Sequence, residues 1–209
     1  LNIYKDDLYI GTSDGLYVKQ LNRTNIDKID LHQTTLNTAD SNNIKLLTID
    51  PQLGLLVGTV EGLYAIGFDN YRLLDKSDIS TVIAGYNISD YKNTPYGEFI
   101  ATERGLFQYH RDTQSTELIL IFSDSKFNIT EDTINNLMVD ETGMFWLASR
   151  TQGVFTWAIQ TRRFNKIMLE GNNVINTIYQ DKDDSIWFGT DDGITHVLNN
   201  SKKSKTYLK

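Results

Sequence analysis

The sequence predicts an all-β fold, a β-propeller built of about five four-stranded antiparallel blades. Three observations predict it. A phrase of two apolar or aromatic residues, a small residue, Thr or Ser, a short spacer, Gly and an apolar residue recurs five times. Its second glycines, Gly15, Gly62, Gly105, Gly153 and Gly193, are separated by 47, 43, 48 and 40 residues, the period of a four-stranded repeat. A second phrase precedes it in three copies, with apolar residues and an Asp spaced by three: Ile44, Leu47 and Asp50; Ile134, Leu137 and Asp140; Ile175, Ile178 and Asp181.

Each copy reads as strand a, a turn, strand b, a tight turn, strand c and a more variable strand d. Strands b and c are expected at 8–12 and 16–20, 55–59 and 63–67, 98–102 and 106–110, 144–149 and 154–158, and 186–190 and 194–198. Strand a is expected at 44–49, 81–86, 134–139 and 175–180, and Thr206-Tyr207-Leu208 forms the last strand d. The recurrent glycine of the b–c turn suits a backbone position with positive φ. The small residue before Thr suits close packing between neighbouring sheets. Asp140-Glu141-Thr142-Gly143 and Asp181-Lys182-Asp183-Asp184-Ser185 carry turn chemistry between strands a and b. The blades fall at 1–37, 38–77, 78–122, 123–168 and 169–209 of a single propeller domain. The third is irregular, with Ser89 to Gly97 read as a long a–b insertion. Tight antiparallel turns disfavour a parallel solenoid, which would also have shorter repeats.

Composition narrows the function. The chain has 209 residues, 40% of them hydrophobic, and a formal net charge of −7. An acidic balance argues against nucleic acid or an anionic membrane surface as the main partner. The basic run Lys202-Lys203-Ser204-Lys205 reads as a solvated tail or turn. With no cysteine there is no disulfide and no thiolate metal site. The longest apolar run, Leu118 to Phe122, falls far short of the roughly 20 residues of a membrane helix, so direct membrane insertion is not expected. No signal peptide is visible, and the start at Leu1 is that of a piece of something longer.

The unit with Ile, Leu and Asp at intervals of three, then Gly, Trp, Ser or Thr and a final Gly resembles the two-component regulator propeller repeat. Ile134 to Phe155 and Ile175 to Ile194 match it best, and Leu8 to Tyr17 carries its second half. The second and third blades lack the Trp. The resemblance implies a periplasmic or otherwise extracytoplasmic sensor domain of a membrane receptor, with a histidine kinase or diguanylate cyclase as output, and it implies a homodimer. It supplies no ligand motif. Because such propellers often have seven blades, five here are read as a fragment of a larger ring in preference to a closed five-bladed one.

No nucleophile, metal or cofactor motif stands out, so the segment is expected to be no enzyme and to need no cofactor. Trp146 and Trp187 occupy equivalent places in strand b and read as inter-blade core, mostly buried; Trp157, on strand c, also reads as core. The carboxylates at 181–184 lack the spacing and closing Glu of a calcium loop. His32, His110 and His196 are scattered among blades. Propeller geometry gives the site hypothesis. The tips of the b–c turns, Asp14, Glu61, Arg104, Arg150, Gln152 and Asp192, converge with the d–a loops 32–43 and 124–132 on one face, where mixed charge suits a small polar ligand such as an oligosaccharide or peptide. A free-standing lectin-like propeller would repeat its polar pocket residues in every blade. A propeller glycosidase would draw its carboxylates from Asp14, Glu61 and Asp192.

Overall fold

The computed structural model describes residues 1–29, 31, 42–69, 72–73, 79–119, 122–123, 127–128, 132–160, 163–167, 169, 174–197 and 204–208. Regular structure among them is β, with no α-helix. Five sheets have four strands each, and their neighbours are antiparallel. The first holds β1 (Asn2–Tyr4), β2 (Asp7–Thr12), β3 (Gly15–Gln20) and β4 (Asp27–Ile29). The second holds β5 (Ile44–Asp50), β6 (Gly54–Thr59) and β7 (Gly62–Ile66). A small hairpin, β8 (Phe68–Asp69) and β9 (Arg72–Leu73), precedes its fourth strand β10 (Ile79–Ala84). The third holds β11 (Ile88–Thr94), β12 (Gly97–Thr102), β13 (Gly105–His110) and β14 (Ser115–Leu118), followed by a hairpin of β15 (Phe122–Ser123) and β16 (Phe127–Asn128). The fourth runs β17 (Ile134–Val139), β18 (Phe145–Ser149), β19 (Gly153–Ala158), β20 (Arg163–Ile167). The fifth runs β21 (Ile175–Gln180), β22 (Ile186–Thr190), β23 (Gly193–Val197), β24 (Ser204–Leu208). The chain divides into two compact units, residues 1–93 with 109–116, and 94–108 with 117–209.

Two sequence expectations are corrected. The segment 81–86 is not strand a of the third blade: β10 pairs with β7 from Ile79↔Ile66 to Ala84↔Gly62 and closes the second blade. The boundary assigned near 78 therefore falls after Ala84. Nor is 89–97 an insertion. Ile88–Thr94 is strand a itself, and Pro95-Tyr96 form a tight turn before β12. The additional length lies before β10, in the β8–β9 hairpin. The basic run ends inside β24, whose Ser204 pairs with Val197.

The spacing of three in strand a has a structural cause. In a regular strand, residues three apart face opposite sides. Here the register of strand a against strand b shifts between Ile44 and Leu46, between Ile134 and Asn136, and between Ile175 and Thr177. Each bulge turns the first Ile onto the face of the apolar residue three positions later. That face meets the small residue of the preceding blade. In the first unit Ile44 and Leu47 pack with Tyr9 and Leu16. In the second, Ile134 and Leu137 join Phe99, Ala101 and Leu106, and Ile175 and Ile178 join Ala148 and Val154. A Cβ added at Gly11 would lie 2.5 Å from Ile44 Cγ2, and one at Gly58 would lie 2.7 Å from Leu46 Cβ and 2.9 Å from Ile88 Cγ2. The small residue is small because the next blade's first Ile sits on it.

Gly58→Val tests this seat. Overpacking at such a contact costs about 1–3 kcal/mol, so thermal denaturation should show a clear fall in melting temperature. An unchanged melting temperature would contradict the packing.

Candidate functional site

The b–c turns are built alike. The Thr ending strand b donates to the carbonyl of the turn glycine: Thr12 to Gly15, 2.9 Å; Thr59 to Gly62, 3.3 Å; Thr102 to Gly105, 2.9 Å; Thr190 to Gly193, 3.0 Å. The same hydroxyl accepts the backbone N–H of the tip residue, Asp14, Glu61, Arg104 or Asp192, at 3.0–3.2 Å. The glycines take positive φ, from 88° at Gly153 to 159° at Gly62. The fourth turn has one more residue. Ser149 Oγ accepts the N–H groups of Thr151 and Gln152 and donates to the buried carboxylate of Asp132.

The tips therefore hold equivalent backbone positions with different side chains. In the first unit, Asp14 is exposed; the hydrogen bond from Lys28 Nζ (2.9 Å) and that from the Tyr17 hydroxyl (2.7 Å) hold its carboxyl below the usual carboxylate range. Glu61 is half-buried, and its enclosed Oε2 has no hydrogen-bond partner among the described residues. In the second unit, Arg104, Arg150 and Asp192 are exposed and Gln152 is half-buried. There Thr133 Oγ1 donates to Glu103 O (3.4 Å) and Arg150 N–H donates to Thr133 O (2.9 Å), so the tips bearing Arg104 and Arg150 are linked through the start of strand a. Asp132 accepts the Thr151 hydroxyl at 3.0 Å between them. Asp132, Ser149 and Thr151 were not singled out from sequence; the additional residue in the fourth turn was their signal. The d–a loops 32–43 and 124–132 lie mostly outside the described residues, as does His32.

The a–b turns lie at the opposite end of the strands. Asp140 accepts the Thr142 and Met144 N–H groups, the Thr142 hydroxyl, and the Trp146 indole N–H at 2.8 Å. In the fifth blade Asp183 caps Ser185, whose Oγ accepts the Trp187 indole N–H at 3.1 Å. These carboxylates stabilise their own turns. Both tryptophans are partly buried and anchor turn to strand; Trp157 is 6% exposed and packs edge-on to Phe99.

The second blade has Leu56 where these Trp stand, and its Asp reaches further. Asp50 is 2% exposed. Its Oδ1 accepts the N–H groups of Gln52 and Leu53; its Oδ2 accepts the Tyr91 hydroxyl (3.0 Å), Asn93 Nδ2 (2.9 Å) and Arg111 (2.8 Å), which also bonds Gln52. Burial would raise its pKa, but the Leu53 and Gln52 N–H groups, Asn93 and Arg111 together outweigh this and lower it to about 2. All of these donors favour the charged form.

With this geometry in view, residues 169–192 match the family model described as two component regulator propeller. That match lies within the fifth blade. Solved structures of similar fold include two extracellular domains from B. thetaiotaomicron, each described as part of a hybrid two component system. One is 22% identical with a TM-score of 0.75, covering 95% of this chain and 26% of that one; the other is 16% identical with a TM-score of 0.76, covering 98% and 29%. A virginiamycin B lyase from Staphylococcus aureus is 10% identical with a TM-score of 0.64, covering 98% and 67%. The chain thus spans under a third of the length of these two extracellular domains. Among curated proteins no sequence match is found. The fold is that of a β-propeller.

Breaking the Asp50 cluster should be costly. Asp50→Ala strands a part-buried guanidinium and is expected to destabilise by about 3 kcal/mol in denaturant titration. Since the folded pKa is depressed, the carboxylate's contribution is complete above about pH 4 and disappears as pH falls towards about pH 2. The variant should therefore lose much of the wild type's acid sensitivity in that window; a wild-type-like acid profile would refute the assignment.

Proposed function

We propose that the chain is a sensing module of an extracytoplasmic signal-transduction receptor, and that it binds a small polar ligand, such as an oligosaccharide or peptide, on the face of its b–c turns. The observation that carries this reading is the regulator propeller repeat at 169–192, in a fold shared with extracellular domains of two-component systems. Location outside the cytoplasm and homodimerisation of the parent receptor follow from the same reading. Among the described residues no helix is long and apolar enough to cross a membrane.

The turn chemistry supports a binding role. Thr and Gly hold each tip in place, while the tips themselves differ in charge and size, as expected of an asymmetric recognition surface. A lectin with equivalent pockets would repeat them. A glycosidase needs a carboxyl with a raised pKa to protonate the leaving group; Asp14, held low by Lys28, is unsuited to that task.

Two measurements test the reading. In a thermal-shift screen of oligosaccharides and peptides, a ligand raises the melting temperature in proportion to the logarithm of its concentration. The double variant Arg104→Ala, Arg150→Ala should weaken that effect roughly tenfold or more in affinity. Unchanged binding by the variant would move the site off this face. Separately, the chain should turn over no generic glycosidase, esterase or lyase substrate; reproducible turnover abolished by Glu61→Gln would replace the sensor with an enzyme.

A further inference from the structure

Four of the five b–c turns close in one way, and the fourth does not. Elsewhere the Thr hydroxyl that ends strand b donates to the carbonyl of its own turn glycine. Ser149 donates instead to Asp132 Oδ2, at the start of strand a. Its lone pairs remain for the Thr151 and Gln152 N–H groups, at 3.2 and 2.8 Å. The other carboxylate oxygen of Asp132 accepts the Thr151 hydroxyl at 3.0 Å. Asp132 is 7% exposed and Ser149 is 0% exposed. Burying a carboxylate is costly, and the two hydroxyl donors offset that cost. A Thr and a Gly close the other turns without it, so closure alone does not require Asp132. What the carboxylate adds is a fixed conformation for the longer tip, Arg150-Thr151-Gln152. Departures of this kind from a repeated local rule are expected at functional positions.

The tip held in this way carries a cation. Arg150 is exposed, and so is Arg104 on the neighbouring third tip. Arg104 meets Glu103 at 3.9 Å with both side chains partly in water, a contact of little strength. Thr133 joins the two tips, its Oγ1 donating to the Glu103 carbonyl and its own carbonyl accepting the Arg150 N–H. All of these residues belong to the second compact unit. Two guanidinium-bearing positions thus stand side by side with one residue between them. Like charges on adjacent tips repel until an anion lies between them. Guanidinium groups take carboxylates through parallel N–H···O bonds. The fifth tip carries Asp192 instead, which confines the cationic site to tips three and four.

We propose that these two tips bind a carboxylate of the ligand, with Arg104 and Arg150 supplying the cationic groups and Asp132 acting as a positioning residue for the Arg150 tip. The proposal rests on the b–c face being the binding face, and it narrows the ligand to acidic ones. A uronic-acid oligosaccharide and an acidic peptide both carry the group.

Calorimetric titration of the 209-residue chain with two probe pairs separates these sources: trigalacturonate against its methyl ester, and N-acetyl-triglutamate amide against its glutamine counterpart. The acidic member of at least one pair should bind roughly tenfold or more tighter than its neutral partner, and its affinity should fall as salt is raised. Arg104→Gln and Arg150→Gln should each remove most of that preference. Asp132→Asn should reduce it as well, a change in the acid-to-neutral ratio that a purely structural role would not produce. If this variant does not fold, Thr151→Val, which removes one of the two hydroxyl donors, is read in the same way. Equal affinity for acidic and neutral members, or a preference that survives both Arg variants, would overturn the inference and leave the b–c face as a binding face. Binding of no probe at about 10 mM would overturn it together with that reading.

Discussion

The structure depends on one contact repeated along the chain: a β-branched side chain at the start of one blade seated on a small residue in strand b of the blade before it. A four-stranded sheet has two faces to cover, and an isolated one cannot bury both. The Ile-on-Gly or Ile-on-Ala seat brings consecutive sheets close enough for the flanking Leu, Phe and Trp side chains to interdigitate. The bulge in strand a makes the seat reachable, because it turns Ile44, Ile134 and Ile175 onto the same side as Leu47, Leu137 and Ile178. In the second unit the seat is reinforced by polar contacts: Asn135 Nδ2 donates to Ile175 O at 2.8 Å, and Asn136 Oδ1 accepts the Ile178 N–H at 3.0 Å.

The two ends of each sheet have different tasks. At the a–b end an Asp organises the turn, and the aromatic residue of strand b decides how far it reaches. With Trp146 present, Asp140 stays within its blade. With Leu56 instead, Asp50 gathers Tyr91, Asn93 and Arg111, the last two about 40 and 60 positions on in sequence. The same carboxylate thus serves as a turn cap in one blade and as a clamp in another. Charge-assisted bonds of this kind are strong only where solvent is excluded, and Asp50 meets that condition.

Strands b and c, their glycine turns and the seat were legible in the sequence because they obey the same local rule in every copy. Strand d was harder to read. Asp27–Ile29 and Ser115–Leu118 are short and polar, and they are strands only because strand c offers them an edge. The misplacement of 79–84 has the same origin: Ile-Ser-Thr-Val-Ile-Ala has the alternation of any strand, and its pairing with Gly62–Ile66 is a tertiary fact. The Asp50–Arg111 pair joins residues 61 apart and leaves no local trace. Of the candidate site, the tip positions could be read from the spacing of Thr and Gly. The buried Asp132, which ties Ser149 to the start of strand a, could not, since nothing but the odd length of one turn marks it.

The hydroxyl-and-glycine construction of the b–c turns separates shape from chemistry. The threonine hydroxyl needs only the backbone N–H of the tip residue, so side chains as different as Asp14, Glu61, Arg104 and Asp192 stand on the same loop. Such positions behave as interchangeable lettering on a fixed typeface. A gene encoding this repeat can change the charge and size of its turn tips one codon at a time, with little penalty in folding, and sequences that diverge far can keep one architecture.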